Sequence, residues 1–133
     1  IRIRPGVVTG QQSDLLVSPQ HRMLFQGYRA ELLFGESEVF VAAKHLVDGR
    51  LVTQETGGYV TYIHMMFDEH EVVYAEGAAT ESFHPGSTSL SGVSDHARDE
   101  LFALFPKLRS YIGCFGQTAR RCLRRHEVNL LHV

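Results

Sequence analysis

Ser18 and His21 stand three residues apart in Asp14–Phe25, DLLVSPQHRMLF. Two short apolar runs, Leu15–Val17 and Met23–Phe25, flank the polar corner Ser18-Pro19-Gln20-His21. Apolar runs around a turn signal read as strands meeting at a tight turn. Pro19 holds its φ at about −65°, and Ser18 is able to accept from a backbone N–H two or three residues on. The corner is therefore expected to be a single capped turn that keeps His21 in one place. A fixed imidazole beside a fixed hydroxyl suits proton transfer next to a carbonyl. The same residues also make a plain capped turn with a surface histidine, and the spacing alone does not separate the two.

The other reactive side chains are less organised. His21, His45, His64, His70 and His84 fall in the first 86 residues, with no cysteine near them. Zinc needs three or four converging ligands, and no pair here has the spacing of a zinc motif, so neither a metal nor a cofactor is expected. Cys114 and Cys122 lie close together near the C-terminus. A lone pair makes no disulfide framework, and the two are expected to be reduced and partly buried.

The elements that must hold these groups are mostly strands. At 133 residues, 44% hydrophobic and 21% charged, the chain reads as one soluble globular domain able to bury a core. Net charge is −2, so no nucleic-acid partner is expected, and no apolar run is long enough to span a bilayer. The charge is uneven: six basic against eleven acidic side chains precede residue 94, and seven against four follow. Ile1–Arg4 alternates like a strand. Tyr28–Phe34 and Glu38–Val41 read as two more, around Gly35-Glu36-Ser37. Ala42–Gly49, AAKHLVDG, reads as a short helical turn closed by Asp-Gly. Leu51–Thr53 and Tyr59–Phe67 read as a hairpin; the second strand is apolar on both faces and so expected to be central. Glu71–Ala75 and Ala78–Phe83 follow around Glu76-Gly77. This is a mainly β fold. HPGSTSLSG, His84–Gly92, marks a change to helical periodicity. Ser94 is expected to cap a helix over Asp95–Phe105, with Ala97, Leu101, Leu104, Phe105 and Leu108 as its apolar stripe. A second helix is expected over Thr118–Leu131, with Arg120, Arg121, Arg124 and Arg125 facing out.

LLVSPQHRMLF, AELLFGESEVFVAAKHLVDG and YIHMMFDEHEVVYAEGAATESFHPG, in that order, resemble the hedgehog/intein (Hint) superfamily, and within it a bacterial subgroup. Ser18-x-x-His21 matches the block in which a Thr or Ser and a His follow a strand. Ala43, Leu46 and Gly49 match a phrase where a strand crosses between halves. Asp68 and His70 match a later strand that carries an Asp or Cys and a His.

The resemblance implies a Hint-like β body over 1–86 and a two-helix extension over 87–133. In the superfamily an opening Cys or Ser attacks the peptide bond before it, in an N-to-S or N-to-O acyl shift. By resemblance His21 protonates the leaving amine, Ser18 donates to the carbonyl oxygen, and Asp68 and His70 form a second catalytic element. This chain opens at Ile1 with no such Cys or Ser. It is therefore expected to be an inactive piece of a self-processing parent whose partner is its own upstream polypeptide. A missing opening strand is expected to leave an open edge beside Ser18–His21, through which two chains can pair. Splicing is not expected: Glu81-Ser82 stands where a His-Asn pair would fall, and Asn129 follows Val128. The competing reading is a non-catalytic interaction module on the same fold.

Overall fold

The computed structural model describes residues 1–60, 62, 65–84, 94–106 and 117–131. It divides into two compact units. The first comprises Ile1–Ile63, Val72–Glu81 and Arg120–Val133; the second comprises His64–Glu71 and Ser82–Ala119.

The first unit is built on two sheets. In the smaller, β1 (Arg2–Ile3) lies between β2 (Leu15–Leu16) and β5 (Val52–Thr53), antiparallel to both. In the larger, the order is β6 (Val72–Ala75), β7 (Ala78–Glu81), β3 (Arg22–Gln26), β4 (Glu38–Ala42) and β8 (Arg121–Cys122). β3 and β4 pair over their whole length, and β8 joins β4 in parallel. Ile3, Met23, Val39, Val41 and Val52 are buried between these strands, with Leu123 and Val128 from the C-terminal segment in the same core. Burial of that apolar surface is the main stabilising term.

The mainly β reading holds, and three local readings are corrected. Tyr28–Phe34 is a helix, α1, not a strand. Gly27 leaves β3 with a positive φ, and Gly35 ends the helix in the left-handed conformation, its N–H bonded to the Glu31 carbonyl. Ala30 is buried and Phe34 packs on the core, four residues apart on one helical face. Tyr59–Phe67 is not a central strand. Its described members form no strand, and Tyr59, Val60, Tyr62, Met65 and Phe67 are exposed. The places beside β3 are taken by β4 and β7 instead. Thr61, Ile63 and His64 lie outside the described residues. Thr118–Leu131 is not one helix. β8 interrupts it, and α3 (Arg125–Leu131) follows. Cys122 is thus a half-buried strand residue, while Cys114 lies outside the described residues.

The β6–β7 turn fixes the larger sheet to the loop after β1. Glu76 and Gly77 both have positive φ, and the Glu76 carbonyl accepts from Gln12 N–H at 2.8 Å. Ser13 Oγ donates to Glu76 Oε2 at 2.8 Å. A Cβ on Gly77 would run into the Gly10 carbonyl oxygen, whereas a Cβ on Gly35 would meet nothing within 4 Å. Gly77→Ala should therefore cost roughly 3 kcal/mol, adding a backbone clash to the left-handed penalty, and Gly35→Ala about 1 kcal/mol. Urea unfolding measures both; equal losses would contradict the docking of this turn.

In the second unit, Glu71 and Ser82 are tied twice. Ser82 N–H donates to the Glu71 carbonyl, and Glu71 N–H donates to Ser82 Oγ, each at 2.9 Å. Helix α2 (Asp95–Leu104) starts as expected, with Ser94 Oγ accepting from Ala97 N–H at 3.2 Å. Its stripe is shallower than expected: Leu101 and Phe105 are half-buried, and Ala97 and Leu104 are exposed. Leu108 lies outside the described residues.

Candidate functional site

The corner Ser18–His21 is held from three sides. Before it, Ile1 and Val17 exchange two main-chain bonds, each 2.9 Å. Within it, His21 N–H donates to the Ser18 carbonyl at 3.1 Å, closing the turn that Pro19 begins. The expected turn is present, closed by main chain. After it, the 3₁₀ turn Ala43–His45 folds back. Lys44 N–H donates to the Pro19 carbonyl at 2.9 Å, and Ala43 N–H to the His21 carbonyl at 2.8 Å. The AAKHLVDG phrase is thus the brace of the corner, with Leu46 buried behind it.

The His21 ring is fixed from β7. Its Nε2 lies 2.6 Å from Thr80 Oγ1, and that hydroxyl is 2.8 Å from the Arg22 carbonyl oxygen. The next residue, Glu81, holds the start of β3. Its Oε1 accepts from Arg22 N–H at 2.9 Å and its Oε2 from Arg22 Nη1 at 3.2 Å. The Glu81 side chain is 4% exposed and that of Arg22 15%. Met23 opposite Thr80 sets this register. The arrangement presents a half-buried imidazole, held through Nε2 by Thr80, on a turn that also carries a serine.

Two nearby groups are electrostatically biased. Burial, then the charges of Lys44 and Arg125, pushes the His45 pKa down. Asp48 accepts from the backbone N–H groups of Val52 and Arg50, and these hold its carboxyl below the usual value. That clasp is complete above the ordinary carboxylate pKa and is lost as pH falls through the lowered one.

Asp68 and His70 belong to the second unit. Asp68 is exposed in the Asp68-Glu69 bend. His70 is buried, its Nδ1 accepting from Ala119 N–H at 2.8 Å. Its ring stands edge-on to buried His84, with centroids 5.1 Å apart. An accepting Nδ1 leaves the ring proton on Nε2. Among the described residues no three His, Cys, Asp or Glu side chains are grouped to hold a metal. No helix among them is long and apolar enough to cross a membrane.

Sequence reasoning brought Ser18 and His21 together and missed Thr80, Arg22 and Glu81. Thr80 sits in AATES, an undistinguished strand run, and only the β3–β7 register gives it a role.

Comparison with curated proteins gives no match. Comparison with solved structures gives none either. A family model described as the Hint domain matches residues 1–87. That span holds the braced Ser18–His21 turn, both strands that fix it and the Asp68–His70 segment, and it covers well over half of the sequence, so the chain belongs to the Hint domain family.

Proposed function

We propose that the chain carries the proton-donating part of a self-cleaving site that acts on a peptide bond of its own upstream polypeptide. A thiol or hydroxyl preceding Ile1 attacks the carbonyl carbon of the bond just before it. As it attacks, the nucleophile passes its proton to the His21 ring; the C–N bond breaks, a thioester or ester forms, and the departing amine takes that proton from His21. Ser18 Oγ–H donates to the carbonyl oxygen as charge builds there. Asp68 and His70 act in the same reading as the second catalytic element.

The observation that carries this reading is the His21 imidazole, held at 2.6 Å by Thr80 on a turn shared with Ser18. An amine is a poor leaving group, so a proton donor has to be in position before the bond opens. The Ile1–Val17 pairing also favours it. Polypeptide continuing β1 in that register runs opposite Ser18.

The test joins a reporter protein to the natural upstream polypeptide and this chain. Hydroxylamine or excess thiol should release the reporter, because these nucleophiles cut a thioester far faster than an amide. An intact, folded precursor that releases nothing would sink the processing reading and favour the non-catalytic interaction module.

A further inference from the structure

We propose that Thr80 is a positioning residue for His21 and sets which imidazole nitrogen carries the proton. A threonine hydroxyl has one proton to donate. The Arg22 carbonyl oxygen, 2.8 Å from Thr80 Oγ1, can only accept, so that proton lies between them. Met23 Sδ, at 3.5 Å, is a weak acceptor and competes poorly. The 2.6 Å contact to His21 must then have Thr80 Oγ1 accepting and Nε2–H donating. The basic nitrogen of the neutral ring is therefore Nδ1.

Thr80 is well suited to this task. It is 4% exposed and lies opposite Met23 in the β3–β7 register, with Glu81 beside it anchored to Arg22. Its β-branched side chain is stiff about χ1, so the hydroxyl has little freedom to turn away. Serine supplies the same hydroxyl with looser placement. Valine keeps the shape and can neither accept from Nε2–H nor donate to the Arg22 carbonyl.

The tautomer follows from the geometry alone; its kinetic consequence rests on the processing reading of His21. Nitrogen-15 histidine spectra of the 133-residue chain, at a pH where the ring is neutral, read the tautomer directly. The wild type should show His21 as Nε2–H with a slowly exchanging ring proton. Thr80→Ser should preserve that signature. Thr80→Val should shift the ring nitrogens toward a tautomer mixture and speed exchange of the ring proton. In the reporter precursor, Thr80→Val should slow release roughly 10- to 100-fold, the loss expected when a buried donor is left without its acceptor, and Thr80→Ser should stay close to wild type. An Nδ1–H tautomer in the wild type overturns the proposal, and decides it even where Thr80→Val fails to fold. A folded Thr80→Val chain with unchanged His21 signals also overturns it. A wild-type precursor that releases nothing, with the Nε2–H signature present, supports the tautomer assignment and overturns the processing reading alone.

Discussion

His21→Ala should slow release of the upstream reporter by about 10²–10⁴-fold, the range for loss of a positioned general acid. The fold should tolerate the change. The turn is closed by the His21 N–H and braced through the His21 carbonyl, and both are main-chain groups that alanine keeps. Thr80 also retains its bond to the Arg22 carbonyl when the imidazole is gone. Ser18→Ala should cost less, since backbone N–H groups can share the carbonyl oxygen. Circular dichroism checks the fold, and the release rate under hydroxylamine gives the effect. Equal rates for wild type and a folded His21→Ala precursor would remove His21 from the mechanism.

Glu81→Ala should be strongly destabilising, costing roughly 3–5 kcal/mol. It removes two acceptors that Arg22 uses, one for its guanidinium and one for its main-chain N–H. With the Glu81 side chain 4% exposed, water cannot readily replace them. Typical domains have only about 5–15 kcal/mol in hand, so a loss of this size should be plain in urea unfolding. Glu81→Gln should be milder, because its amide oxygen can still accept from Arg22 N–H. Added salt should leave the difference nearly unchanged, since ions screen a buried pair weakly. The contrast is the more exposed pair Arg2 and Glu55, with side chains 30% and 45% exposed, where removal should matter far less. A Glu81→Ala chain as stable as wild type would show that Arg22 finds equivalent acceptors elsewhere.

The Ser18–His21 corner was legible because proline and the flanking apolar runs act locally. The same is true of the Glu76-Gly77 turn and of the Ser94 cap. The failures are long-range. Tyr28–Phe34 is seven residues between glycines, too short for its pattern to distinguish helix from strand, and only Ala30 and Phe34 meeting the core decide it. Tyr59–Phe67 is apolar on both faces like a buried strand, but β7 holds the place beside β3. Two-residue β8 exists only because β4 offers its edge to Arg121 and Cys122. Thr80 was illegible for the same reason. Its value comes from a strand register that brings it to His21 across 59 residues of sequence. Glu81 shows the complement. By resemblance it reads as occupying the place of a splicing pair, and in the structure it anchors Arg22.

Self-cleavage by this route requires an acyl intermediate at the junction with the upstream polypeptide. Mass spectrometry of the reporter released by hydroxylamine tests it most directly. Hydroxylamine attacks the acyl carbon of a thioester or ester and remains attached as a C-terminal hydroxamate. One released species is expected, carrying a hydroxamate on the residue just before the upstream nucleophile. This species should be lost on replacing that nucleophile and strongly reduced in His21→Ala. A reporter that stays joined, or one that leaves only as a free acid at the same rate in His21→Ala, would contradict it.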